Sequence, residues 1–94
     1  MTEKYEAALV VSVLNGEDEI KAIVEKFNKL IADNGTVEDV DDWGKRRLAY
    51  PINDETEGYY VFTTFTAEPE FPAEYERIAK ITEGVLRTMV TKKN

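Results

Sequence analysis

Three consecutive cations, Lys45, Arg46 and Arg47, lie in the stretch WGKRRLAYPI at residues 43–52. Lysine and arginine side chains can bind phosphate groups, and the guanidinium group of arginine also pairs with carboxylates on a partner protein. The same charges could instead protect an exposed strand, because charged side chains on a sheet edge oppose pairing with other chains. The residue types alone leave ligand binding and edge protection equally open.

Two short windows of the sequence are net positive, although the chain has a formal net charge of −7. Residues 43–53 and residues 84–94 each contain three cations and no acid. The stretches 1–42 and 54–83 are both net acidic. A phosphate backbone responds to the local potential within a Debye length of about 8–10 Å, so the acidic total does not exclude RNA binding.

Catalytic chemistry has few candidate side chains in this sequence. The absence of Cys and His removes thiol nucleophiles, histidine bases and Cys or His metal ligands. None of the 19 acidic residues lies within an apolar run where desolvation would favour a protonated carboxyl group, and no glycine-rich phosphate loop is present. We therefore expect no enzyme activity, no cofactor and no metal site.

Targeting signals are also missing from the sequence. Residues 1–20 lack the basic start, apolar stretch and small-residue cleavage site of a secretory signal. No run approaches the ~20 apolar residues that a membrane-spanning helix needs. We expect a cytoplasmic protein.

The spacing of apolar residues predicts the elements that position the candidate side chains. Apolar runs rich in β-formers predict four strands, and apolar residues at helical spacing predict two amphipathic helices. Gly44 indicates a bulge within the second strand, and Asn53–Gly58, after Pro51, predict a long hairpin loop. In chain order, the predictions are a strand at 5–14, a helix at 17–33, strands at 36–50 and 59–67, a helix at 70–81 and a strand at 85–91.

The order β-α-β-β-α-β predicts an α+β fold of the ferredoxin-like, split βαβ type. Right-handed crossovers place both helices on one face of a four-stranded antiparallel sheet. The first and third strands are then central, and the second and fourth are edges. We predict one such domain over residues 1–94.

Alternation along the strands assigns side chains to the two faces of this sheet. Leu48 is expected under the helices because its neighbours are apolar, and this choice sends Lys45 and Arg47 to the open face. The face under the helices is expected to receive Ala7, Leu9, Val11, Leu48, Val61, Phe65, Leu86, Thr88 and Val90. The open face is expected to receive Tyr60, Phe62, Arg87 and Met89. Loops could cover these rings, a partner protein could dock on them, or RNA bases could stack on them.

Four segments that together cover most of the chain make the sequence similar to a known family. They are KYEAALVV, LIADNGTVEDVDDWGKRRLAYPI, EGYYVFTTF and ITEGVLRTMVTKK. The most specific part is GKRRLAYPI, followed by a short loop and GYY. In these residues the chain resembles the bacterial small-subunit ribosomal protein six family.

The resemblance implies a ferredoxin-like structural protein that is monomeric when free and has no enzyme activity or cofactor. It implies binding to the central domain of 16S ribosomal RNA together with the basic small-subunit ribosomal protein eighteen, during assembly of the subunit platform. Implied partner-binding residues are Asp41, Asp42, Arg46 and Arg47. Trp43, which departs from the family pattern, and the open-face rings Tyr60 and Phe62 are predicted to extend this partner-binding surface. Implied RNA-binding residues are Tyr5, Lys45, Tyr50, Tyr59, Arg87, Lys92 and Lys93.

Two other classes of function are compatible with a ferredoxin-like fold. A small-molecule-binding regulatory domain would form a homodimer through the open sheet face. A small dimeric α+β-barrel enzyme, an isomerase or oxygenase, would need a polar cavity between helices and sheet. The apolar inner stripes of both predicted helices disfavour such a cavity.

Overall fold

A computed structural model describes residues 1–52 and 54–93 of the chain. Six elements follow one another in the predicted order β-α-β-β-α-β. Their bounds are β1 (Glu3–Ser12), α1 (Glu17–Asn34), β2 (Gly35–Ile52), β3 (Glu55–Ala67), α2 (Phe71–Ile81) and β4 (Val85–Lys92).

The four strands form one antiparallel sheet in the order β2-β3-β1-β4. The strands β1 and β3 are central, and β2 and β4 are edges, as predicted. Both helices pack on the same face of the sheet, because their buried side chains join one cluster with buried side chains of that face. We call this the covered face and the opposite side the open face.

The main core fills the space between the covered face and the two helices. The sheet contributes Ala7, Leu9, Val11 and Phe65, as predicted, and α1 contributes Ile20, Ile23, Phe27 and Ile31. Val61, which pairs with Leu9 on the same face, is also buried, as predicted. Tyr75 of α2 packs its ring 5.2 Å from the ring of Phe27, and burial raises the pKa of Tyr75 to about 12. Most of the hydrophobic stabilisation comes from this layer, since its side chains are almost fully removed from water.

Gly35 lets α1 pass directly into β2 without a connecting loop. Its backbone is extended, with φ −172°, so it does not end the helix through a left-handed conformation. A Cβ atom at this position would lie 2.1 Å from the carbonyl oxygen of Thr66 on β3. A glycine is therefore required because β2 starts pairing with β3 immediately after the helix.

The loop that connects β2 to β3 is shorter than predicted, because both strands extend into it. The strands run to Ile52 and from Glu55, and these two residues pair with each other. Glu55 accepts a hydrogen bond of 2.7 Å from Ser12 Oγ of β1, which ties the start of β3 to the sheet. Most of the predicted loop is therefore strand, while Asn53 lies outside the described residues.

Leu48 is buried on the open face and not under the helices. A Cβ atom at Gly58 would meet Val10 Cγ1 at 2.6 Å and Leu48 Cδ2 at 3.4 Å, so both side chains lie over this glycine. Val10 alternates with core residues of β1 and therefore faces the open side. A second small apolar cluster over Gly58, separate from the main core, accounts for the burial of Leu48.

This position of Leu48 reverses the expected directions of the β2 cations. Arg46 lies on the open face because it pairs with Gly58. Its neighbours Lys45 and Arg47 point toward the covered face, at the edge of the sheet. The prediction assigned Lys45 and Arg47 to the wrong face because it counted alternation from a misplaced Leu48.

Leu86 was also assigned to the wrong face. It is the extra residue of a bulge in β4, where the register with β1 shifts. Val85 before it packs against the main core, and Arg87 after it pairs with Val10 on the open face. The Leu86 side chain reaches to within 3.8 Å of the Cβ position at Gly58.

Candidate protein and nucleic-acid interface

A bulge in β2 organises the candidate interface, as the sequence predicted. Asp42 pairs with Val61 and Gly44 pairs with Tyr60, so Trp43 is the extra residue. Gly44 adopts φ +75°, a left-handed conformation that favours glycine, and its N–H donates to Asp42 Oδ1 at 3.0 Å. The bulge sends Trp43 to the open face and Asp42 to the covered side.

The second carboxylate oxygen of Asp42 binds Tyr59. The Tyr59 hydroxyl group donates to Asp42 Oδ2 at 2.7 Å. This hydrogen bond, together with desolvation, raises the pKa of Tyr59 to about 12. Asp42 thereby connects the bulge to the neighbouring strand on the covered side of the sheet edge.

A groove of about 650 Å³ opens between the N-terminal half of α1 and this edge of the covered face. Its floor is apolar, and its rim carries both acids and lysines. Acids predominate near α1, whose first turn contains Glu17, Asp18 and Glu19. The lining residues are Val13, Gly16, Glu17, Ile20, Lys21, Val24, Glu25, Asp42, Lys45 and Tyr59.

Three aromatic rings form a connected row on the open face, which we call the aromatic ladder: Trp43, Phe62 and Tyr60. The ring of Phe62 lies 4.7 Å from the ring of Trp43 and 6.3 Å from that of Tyr60. Asp41 accepts a hydrogen bond of 2.8 Å from Trp43 Nε1 and so orients the indole. Trp43 nevertheless remains 48% exposed.

Arginines flank the aromatic ladder at both sheet edges. Arg46 Cζ lies 5.9 Å from the centroid of the Trp43 ring, in a cation–π arrangement. Arg87 of β4 lies in the same cross-strand row as Tyr60, because both pair with Val10 of β1. The open face therefore combines adjoining, mutually tilted rings with a guanidinium group on each side.

The residues implied for RNA binding do not form one site. Lys45 and Tyr59 are paired neighbours at the groove, Arg87 lies on the open face, and Tyr50 is 64% exposed elsewhere on β2. Tyr5 is only 7% exposed, and its ring packs 5.7 Å from Phe65 in the main core. The Tyr5 ring is therefore not exposed for stacking on a base, and its implied role in RNA binding stays a prediction.

The two remaining implied residues, Lys92 and Lys93, are engaged by acids of β1. Lys92 Nζ lies 2.6 Å from a carboxylate oxygen of Glu3, and Lys93 Nζ lies 3.7 Å from one of Glu6. The hydrogen bond to Glu3 raises the pKa of Lys92. By contrast, no ion pair involves Lys45, Arg46, Arg47 or Arg87 within residues 1–52 and 54–93.

The residues implied for partner binding are divided between two surfaces. Asp42 and Arg47 lie on the covered side of the β2 edge, while the others lie on the open face. Alternation could have revealed this division, but only with the correct face for Leu48. The groove residues of α1 and the cluster over Gly58 were missed, since both depend on packing between distant segments. The open-face members are Asp41, Trp43, Arg46, Tyr60 and Phe62.

The described part of the chain offers neither a cluster of metal ligands nor a membrane-spanning helix. It contains no group of three acidic side chains close enough to hold a metal ion. None of its helices is long and apolar enough to cross a membrane.

Comparison with known proteins gives consistent results over nearly the whole chain. The family model described as ribosomal protein S6 matches residues 4–92. Small ribosomal subunit protein bS6 of Clostridium novyi is 48% identical over 87 residues, covering 92% of both chains. The protein of the same name from Exiguobacterium sibiricum is 47% identical over 90 residues, covering 95% of both chains.

Solved structures show the same fold. The crystal structure of 30S ribosomal protein S6 from Thermotoga maritima superposes with a TM-score of 0.92 at 24% identity, covering 99% of this chain and 89% of that one. The C-terminal domain of the MgtC protein from Mycobacterium tuberculosis reaches a TM-score of 0.57 at 12% identity, covering 97% of this chain and 87% of that one. At these identities the two structures support the architecture alone.

Proposed function

The chain belongs to the ribosomal protein S6 family, and from this premise we propose that it binds the central domain of 16S ribosomal RNA jointly with small-subunit protein eighteen. Proteins of this family are structural constituents of the small ribosomal subunit in the bacterial cytoplasm, and they are not enzymes. The chain itself, monomeric when free, takes part in assembly of the platform.

The observation that carries the proposal is the separation of charge at the β2 edge. Lys45, Arg46 and Arg47 carry no ion pair among the described residues, while acids of α1 border the groove beside them. Unneutralised cations can contact phosphates, and the acids attract a basic protein. One edge of the sheet can thus engage both ligands.

The basic partner docks on the covered side of this edge. Three acids, Glu17, Glu25 and Asp42, outnumber the two lysines around the apolar floor of the groove, which suits a basic segment that carries an apolar side chain. Arg47 points to the same side and can pair with a carboxylate of the partner.

RNA binding by the chain alone is weak, because acids over most of its surface repel phosphates. The partner supplies the missing positive field. We expect the affinity of the pair for a central-domain fragment to exceed that of either protein alone by roughly ten- to a hundredfold, as for typical coupled sites.

Filter binding of labelled central-domain RNA, with each protein alone and with both, measures this gain. The double variant Glu17→Gln with Glu25→Gln should reduce the gain, because the groove loses two charges. A matched variant, Glu70→Gln with Glu76→Gln, removes the same charge near α2 and should leave the gain unchanged. Tight RNA binding that does not depend on the partner would contradict the proposal.

A further inference from the structure

We propose that the open face of the sheet is a stacking platform for unpaired bases of single-stranded RNA. The aromatic ladder supplies the rings, and Arg46 and Arg87 supply phosphate contacts. The inference rests on the proposed ribosomal function and deepens it. It assigns RNA to open-face residues that the sequence analysis predicted to contact the protein partner.

The geometry of the aromatic ladder suits stacked bases. Its three rings adjoin one another across the bulge and β3, with centroid distances of 4.7 and 6.3 Å. Trp43 is half exposed, and Tyr60 and Phe62 are partly exposed. Unpaired bases stack on aromatic side chains of four-stranded sheets, and each base presents a π-face to them.

The two flanking arginines match the backbone of such a strand. They lie on opposite edge strands, separated by the two central strands, which corresponds to roughly 14 Å at ordinary strand spacing. Neither arginine forms an ion pair with another described residue. Phosphates on both sides of a stacked base can therefore be neutralised.

Charge favours RNA over the basic partner as the occupant of this face. Arg46 and Arg87 would repel a basic protein. Of the acids on this face, Asp41 accepts a hydrogen bond from Trp43, and Glu6 and Glu38 lie near Lys93 and Lys4. Asp39 lies farther along β2, where it pairs with Thr64. The acids that suit the partner lie at the groove on the covered side. The two ligands thus take opposite sides of β2.

Trp43 is the only tryptophan of the chain, so a chain labelled with 5-fluorotryptophan gives a single fluorine resonance from the ladder. The probes are an oligouridylate of about eight nucleotides, within the usual site size for single strands, and an abasic ribose-phosphate oligomer of equal length. We expect the oligouridylate, and not the abasic oligomer, to shift the resonance at low salt. The same result is expected in the complex with the unlabelled partner.

Three variants separate stacking from nonspecific attraction. Phe62→Leu should weaken oligouridylate binding by about five- to a hundredfold, the range that one lost base–aromatic stack gives. Arg87→Gln should lower the slope of log affinity against log salt by about 0.7, the value for one single-strand phosphate contact. Arg77→Gln is the matched control on α2, where the guanidinium group pairs with Glu74, and should change neither quantity.

Three results would overturn the inference. The fluorine resonance of Trp43 could fail to shift when oligouridylate is added, it could shift equally with the abasic oligomer, or it could shift when the partner protein is added without RNA. If Phe62→Leu fails to fold by circular dichroism, the salt slope of Arg87→Gln decides. Failure here is distinguishable from failure of the proposed function. The two proteins together could still bind central-domain RNA more tightly than either alone while the Trp43 resonance does not shift. That result would refute the stacking platform and leave the proposed joint binding intact.

Discussion

At the scale of single residues, Asp42 has a structural role that its sequence neighbours did not indicate. One carboxylate oxygen accepts the N–H of Gly44 and closes the bulge, and the other accepts the Tyr59 hydroxyl group. The family resemblance implied a contact with the partner. The structure adds that Asp42 fixes the shape of the edge at which we propose that the partner docks.

This pair predicts a pH dependence. The pKa of Tyr59 is raised to about 12 from a usual 10.0, so the hydrogen bond stabilises the fold fully below pH 10 and this stabilisation is lost as pH rises through about 12. Asp42→Asn should bring the pKa of Tyr59 back toward 10.0, because it removes the charged acceptor. Asp41→Asn, the matched change on the open face, should not.

Nuclear magnetic resonance of labelled tyrosine rings measures this titration, with the Tyr59 signal assigned by its loss in Tyr59→Phe. The same high pKa of Tyr59 in the parent chain and in Asp42→Asn would show that the carboxylate is not the cause.

At the scale of elements, β2 is an 18-residue edge strand whose outer backbone groups face away from the sheet. Arg46 and Arg47 project to opposite sides of it. Replacing both by leucine should promote self-association, because the edge loses the charges that keep identical edges apart. The same change should weaken binding to the partner, because Arg47 no longer pairs with a carboxylate of that protein.

Sedimentation velocity, with titration of the partner, measures both effects. Lys29→Leu with Lys80→Leu changes net charge equally on the helices and should stay monomeric. If the double variant at Arg46 and Arg47 stays monomeric and binds the partner with normal affinity, these charges do not protect the β2 edge.

Local signals predicted much of the fold. The helical spacing of Ile20, Phe27 and Ile31 gave α1 its buried stripe, and Gly44 marked the bulge, because both patterns arise within a few residues of sequence. Hydrophobicity shows that Leu48 is buried but not on which face. Its position depends on Gly58, ten residues away on β3, which leaves room for a leucine over the open side. Because the faces of Lys45 and Arg47 were counted from Leu48, its wrong placement put both cations on the wrong face.

At the scale of the molecule, the two net-positive windows of the sequence are not equivalent. Acids of β1 engage Lys92 and Lys93, so the second window has a weaker local field than its composition suggests. The first window has no such pairing among the described residues. Sequence counting could not show this difference, because β1 and the end of β4 meet only in the folded sheet.

The central claim, joint recognition of RNA by an acidic chain and a basic partner, is tested most directly by a hydroxyl-radical footprint on the central domain of 16S ribosomal RNA. At a concentration where the pair protects the RNA fully, this chain alone should leave the cleavage pattern of free RNA. The pair should protect nucleotides that neither protein protects alone. Full protection by this chain without its partner, or no added protection by the pair, would contradict the account.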